Sequence, residues 1–202
     1  MAKIMKEVYQ FKITLNESKP PIWRRILVPS KYSFWDLHIA IQDSMGWKDY
    51  HLHSFNIINP LTGRKVEIGI PDEDYEDILP DNKIKISKYF NENNAKATYE
   101  YDFGDSWIHT IKLEKIIPAV AGEKYPQCIG GKMACPPEDC GGIWGYYNLL
   151  EIIQDPKHDE YEESIEWLGE DFDPNEFDPK DVTFDDPKER FNLMNDDESE
   201  MF

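Results

Sequence analysis

The sequence predicts an α+β domain: a mostly antiparallel sheet with helices packed on one side. Three observations carry this. Alternating apolar and polar residues come in pairs of short segments joined by turns, over residues 9–29, 51–70 and 97–117. The element order is β-β-α-β-β, then a hairpin, then two helices, which excludes a doubly wound parallel fold. The chain has 202 residues, 13% of them aromatic, enough to bury a core without disulfide staples. The opening hairpin, helix and strand are compatible with a β-grasp-like arrangement in the N-terminal half.

In the first strand Tyr9, Phe11, Ile13 and Leu15 alternate with Gln10, Lys12, Thr14 and Asn16. After Pro20-Pro21, residues 22–29 return as its partner. Alternation puts Arg24 with Ile22, Ile26 and Val28, and Arg25 with Trp23 and Leu27, so one arginine faces apolar neighbours and calls for an anionic partner. A helix follows: Ser33 is an N-cap, Asp36 closes a capping box, and Leu37, Ala40, Ile41, Ser44 and Met45 form a stripe that ends at Gly46.

Residues 51–58 read as a third strand with His51 and His53 on one face, and residues 64–70 as a fourth. Residues 72–81 are a surface loop or short helical turn, and 83–90 a short strand or turn. A second hairpin spans 97–103 and 107–117 around Gly104-Asp105. Residues 125–147 read as a long ordered loop, and 143–154 as a helix with Tyr146, Leu149, Leu150 and Ile153 inward. Asp155-Pro156 opens another helix, with proline at its first position. A single domain over 1–184 and an acidic, largely disordered tail over 185–202 complete the organisation.

The formal net charge is -18. From residue 155 onward there are 19 acids against 4 bases, whereas residues 1–154 hold 21 acids and 18 bases. The acidity therefore belongs to the C-terminal quarter. It is a solvated surface that repels phosphate backbones, which speaks against generic nucleic-acid binding and for a protein partner. No apolar run is long enough to span a membrane, no secretory leader is visible, and three cysteines are an odd number, so the expected location is the cytoplasm.

Site chemistry concentrates in two stretches. Residues 125–147 hold Cys128, Cys135 and Cys140 in a C-x6-C-x4-C pattern, with Glu138-Asp139. Three thiols in one loop, completed by His158 or His109, are a candidate zinc site, although the spacing matches no ribbon or knuckle. Buried structural thiols are the competing reading. The second stretch is Y-D-F-G-D-S-W-I-H, in which Asp102, Asp105 and His109 offer carboxylates and an imidazole for metal or acid/base work. Against that, aspartates at a turn satisfy turn amides. The H-L-H of His51 and His53 is a third metal candidate. Arg24, Arg25, Trp107 and Trp144 are the candidate binding residues.

Five segments in series, I-W-R-R-I-L-V-P, L-H-I-A-I-Q-D-S-M-G-W-K-D-Y-H-L-H-S-F, Y-D-F-G-D-S-W-I-H, C-I-G-G-K-M-A-C-P-P-E-D-C-G-G-I-W-G-Y and H-D-E-Y-E-E-S-I-E-W-L-G-E-D-F-D-P, resemble the plasmid pRiA4b ORF-3-like family over residues 9–182. The resemblance implies a compact α+β domain of bacteria and archaea, often near plasmids and mobile elements. It also implies that Cys128 and Cys135 with Glu138 and Asp139 are the shared feature, since the family often has an apolar residue at the position of Cys140. No recombinase constellation accompanies it. The leading expectation is a non-catalytic binding or regulatory module. The alternative is a metal-dependent or acid/base enzyme using the cysteine loop with Asp102, Asp105 and His109.

Overall fold

The computed structural model describes residues 7–71, 77–169 and 172–200. Its strands are β1 (Glu7–Leu15), β2 (Trp23–Pro29), β3 (His53–Ile58), β4 (Lys65–Gly69), β5 (Leu79–Pro80), β6 (Lys96–Tyr101), β7 (Trp107–Pro118) and β8 (Gln127–Lys132). The helices are α1 (Phe34–Met45), α2 (Gly142–Ile152), α3 (Tyr161–Leu168) and α4 (Pro187–Glu200). The strands form one sheet in the order β5-β4-β3-β6-β7-β1-β2-β8. Every pair is antiparallel except β4 with β5. The α+β class follows. The neighbours of β1 are β2 and β7, so the 97–117 hairpin lies between the N-terminal hairpin and β3.

Local chemistry explains α1. Ser33 Oγ accepts from Asp36 N, the Asp36 carboxylate accepts from Ser33 N at 2.7 Å, and Gly46 ends the helix at φ +92°. The core sits between α1 and one sheet face: Phe34, Leu37 and Ile41 meet Phe11, Ile13, Phe55, Tyr99 and Trp107, all essentially solvent-free. Each such side chain stabilises the fold by roughly 1.5–3 kcal/mol. On the other face β7 bulges at Glu114, which steps out of register with β1. Its carboxylate accepts from Arg25 Nε at 2.7 Å, Arg25 Nη2 at 3.0 Å and Gln10 Nε2 at 2.7 Å.

Four expectations are corrected. The first half of the cysteine segment is not a loop but β8, an edge strand on β2. Gly131 makes this possible, since a Cβ there would drive into the Phe177 ring. Asp155-Pro156 does not start a helix: Asp155 Oδ1 accepts from Lys157 N and its carbonyl from His158 N, which closes turns, and α3 begins only at Tyr161.

Within the segment expected to be a largely disordered tail, Pro187–Glu200 forms α4, and residues 201–202 lie outside the described residues. Pro187 O accepts from Trp35 Nε1 at 2.8 Å, Phe191 packs edge-on against Trp35, and Arg190 pairs with Asp185 at 2.8 Å and Asp49 at 3.5 Å. Docked α4 explains why ten of the twelve α1 residues are buried, more than one stripe.

Arg24, finally, is buried with no carboxylate partner among the described residues. It donates to Ser44 O (2.8 Å), Trp23 O (3.0 Å), Met133 O (2.9 Å) and Lys132 O (3.2 Å), and its guanidinium lies 3.7 Å over the Phe177 ring. The electronegative carboxyl end of α1 supplies the expected anionic character. Part of residues 72–81 lies outside the described residues; Leu79–Pro80 forms β5, and residues 86–88 form a 3-10 turn.

Candidate functional site

One end of the sheet gathers four connections: 16–22, 46–52, 102–106 and 133–141. The register brings them together, with Leu15 opposite His109, His53 opposite Tyr101 and Trp23 opposite Lys132. Hydrogen bonds then tie loop to loop. Asp102 N donates to Leu52 O at 2.9 Å, and Tyr50 N to Tyr101 OH at 3.0 Å. Glu138 accepts from Tyr101 OH at 2.5 Å and from Lys48 N at 3.0 Å. Trp47 Nε1 donates to Pro136 O at 2.9 Å. Asp105 Oδ2 accepts from Gly141 N at 3.1 Å, just ahead of α2.

Within this frame His51, Asp102 and Asp139 converge. His51 Nε2 stands 3.1 Å from Asp139 Oδ1 and 3.7 Å from Asp102 Oδ2. Asp102 and Asp139 both hold left-handed backbone, at φ +56° and +60°, a conformation costly for a residue with a Cβ and common where function requires it. Asp102 is buried, and its Oδ1 accepts from Gly104 N at 2.9 Å, fixing the carboxylate. Asp139 reaches into solvent. A groove of about 540 Å³ opens beside it, lined by Trp47, Tyr50, Cys135, Pro137, Glu138 and Trp167.

Asp102 and Asp139 thus meet, but Asp105 and His109 serve elsewhere. Asp105 holds the α2 entrance. His109 is buried under Trp47, its Nδ1 bonded to Trp107 O at 2.9 Å, and burial pushes its pKa down to about 4. Glu138 is a tether. Among the described residues no cysteine belongs to a group of three donors within 4.8 Å. The Cys128 and Cys140 thiols point at Gly130 O and Gly142 O, burial drives Cys135 and Cys140 up to about 12, and the Arg24 charge partly offsets this at Cys135. His158 lies in the turn before α3, its Nδ1 accepting from Glu160 N. Of the candidate binding residues, Arg24 and Trp107 are inside the protein, Arg25 is clasped by Glu114, and Trp144 is 80% exposed.

The two histidines of H-L-H part company, because β3 begins at His53 and His51 precedes it. His53 turns inward and gives its Nε2 to Asp81 at 2.9 Å. Its ring stacks on His38 of α1, which no local sequence signal marks. His38 is bonded through both nitrogens, to Asp49 at 2.7 Å and Tyr99 OH at 2.9 Å. His38, Asp49 and His53 form the second donor group, with its histidine rings buried. The sequence signal for His51 is the H-L-H alternation with His53; nothing local marks its pairing with Asp102 or Asp139.

A model of the family described as plasmid pRiA4b ORF-3-like protein matches residues 7–181. The uncharacterized protein y4hQ of Sinorhizobium fredii is 37% identical over 168 residues, 82% of this chain and 83% of that protein. The crystal structure of a protein of unknown function, MM3350 from Methanosarcina mazei Go1, superposes with a TM-score of 0.85 at 49% identity, covering 89% of this chain and 99% of that one.

Proposed function

We propose, starting from the fact that this chain belongs to the plasmid pRiA4b ORF-3-like family, that it is a non-catalytic binding module for a protein partner. One observation carries the reading. The sheet end that gathers the four connections exposes large apolar side chains, Tyr50 at 70%, Leu52 at 55% and Phe103 at 53%, and Trp144, at 80%, follows in the first turn of α2. Leu52 and Phe103 adjoin through the Asp102–Leu52 hydrogen bond. Exposed apolar side chains in such a cluster are typical of an interaction surface.

Glu138, Asp139 and Asp105 stand among them, so the partner we assign is a protein segment carrying apolar and basic side chains. Nucleic acid is not assigned, since the acid excess opposes a phosphate backbone. The family description names a plasmid reading frame, and regulation in a mobile-element setting is the role that fits it. The alternative, an acid/base or metal-dependent enzyme, keeps one supporting observation, the convergence of Asp102 and Asp139 on His51.

The test is quantitative capture from the native lysate by the full chain and by a Tyr50→Ser, Phe103→Ser, Trp144→Ser variant. A partner held by the first and lost by the second is the expected result. No protein above background at low and moderate salt would overturn the reading.

A further inference from the structure

We propose that His51, Asp102 and Asp139 form a binding site for a divalent first-row cation. The donor spacing is the first argument. Ligands held about 2.1 Å from one ion stand about 3.0–3.4 Å from each other in octahedral or tetrahedral arrangement. His51 Nε2 lies 3.1 Å from Asp139 Oδ1 and 3.7 Å from Asp102 Oδ2, and the three donor atoms all fall within 4.8 Å of one another.

The second argument is an orphaned nitrogen. His51 Nε2 is shut off from solvent yet makes no hydrogen bond, so the 3.1 Å approach to Asp139 does not satisfy hydrogen-bond geometry. A buried polar atom without a partner is costly, and a cation accepting the imidazole lone pair removes that cost. Asp102 Oδ2 is likewise free of hydrogen bonds among the described residues, while Oδ1 is held by Gly104 N. Among the described residues neither carboxylate has a lysine or arginine partner.

The site is organised without the ion. Asp102 is pinned by its backbone to Leu52 and Ser106, and Asp139 follows Glu138, which is bonded to Tyr101 and Lys48. One imidazole with two carboxylates suits Mn2+ and Zn2+. The Asp139 side chain is 66% exposed, so the ion would keep water-filled positions facing the groove.

The probe is Mn2+, for which thiols are poor ligands, so the cysteines do not compete. The untagged full chain, stripped with chelator, is titrated with Mn2+ and followed by the loss of the free-ion electron paramagnetic resonance signal and by calorimetry. Expected is one site per chain, weakened at least tenfold in His51→Ala and in Asp139→Asn. The second variant alters a side chain with no hydrogen bond to the rest of the fold among the described residues, so it reads the site even if His51→Ala unfolds, which circular dichroism reveals. No uptake would overturn the proposal. Equal uptake by wild type and Asp139→Asn would assign Mn2+ to the acidic surface and also overturn it. Neither result bears on partner capture, which rests on the exposed apolar side chains.

Discussion

The His38 and His53 rings stack face to face inside the protein, centroids 3.5 Å apart and planes 6° from parallel. Each ring has its own carboxylate, Asp49 for His38 and Asp81 for His53. Burial, and then the neighbouring His53, push the His38 pKa down to about 4 against the pull of Asp49; burial, helped by the Arg24 charge, lowers His109 to about 4 as well. An unfolded histidine titrates near 6.5. Between about pH 6.5 and 4 the unfolded chain therefore binds protons that the folded chain does not, and these two groups make stability fall as pH falls, each by up to about 3 kcal/mol.

Asp43, raised by burial to about 6, acts in the opposite sense, and its contribution fades as pH rises through 6. Glu114, held at about 2 by Arg25, contributes stability lost only as pH falls below the ordinary glutamate range. The selective readout is imidazole NMR. Two histidine ring signals should stay at neutral positions from pH 7.5 to 5. A midpoint near 6.5 for either His38 or His109 would contradict the buried, neutral assignment.

The local parts of the fold were legible. Alternation gave the hairpins, and Ser33, Asp36 and Gly46 bounded α1, because period and caps act within a few residues. The parts that failed depend on distant partners. α4 exists where Trp35 meets Pro187 and Phe191, and β8 exists because β2 offers an edge. At the site, Asp102, Glu138 and Asp139 stood out as residue types in turns. Nothing local says that the Tyr101–Glu138 bond would carry Asp139 to His51. His38 and Asp49 looked like one helix residue and one loop residue, eleven positions apart.

Replacing Arg24 tests the carbonyl cage. Arg24→Met leaves the Ser44, Lys132 and Met133 carbonyls short of a donor and uncovers Phe177. A loss of about 2–3 kcal/mol in urea unfolding is expected, since each buried carbonyl left unsatisfied costs about 1–3 kcal/mol and the methionine recovers part of it by packing. Arg24→Lys keeps the charge but not the fork, and should lose less. A Met variant within about 1 kcal/mol of wild type would show that the cage contributes little.

Gly130 and Gly131 are neighbours in β8 with opposite forecasts. A Cβ at Gly130 would rest at ordinary contact, 3.7 Å from the Trp23 ring. A Cβ at Gly131 would force the Phe177 ring off Arg24. Gly130→Ala should be near neutral, since alanine also reduces unfolded-chain entropy by about 0.4–1 kcal/mol. Gly131→Ala should cost about 1–3 kcal/mol, the range of an overpacked site. Equal midpoints for the two variants would mean that Phe177 yields without penalty.

The thiols give the last forecast. With pKa values pushed up to about 12, Cys135 and Cys140 carry only about one thiolate in ten thousand at pH 8, and Cys128 is raised as well. Each is also partly shielded from solvent. An aromatic disulfide reagent should therefore count almost no thiol in the folded chain and three per chain on unfolding. Chelator should change neither the folded rate nor the melting temperature through the cysteines, because a reagent blocked by packing is released only by unfolding. A zinc ion on Cys128, Cys135 and Cys140 would behave differently: chelation would expose thiols below the melting temperature and lower that temperature together. Running the thiol count with and without chelator at 25 °C separates packed thiols from ligating ones in a single experiment.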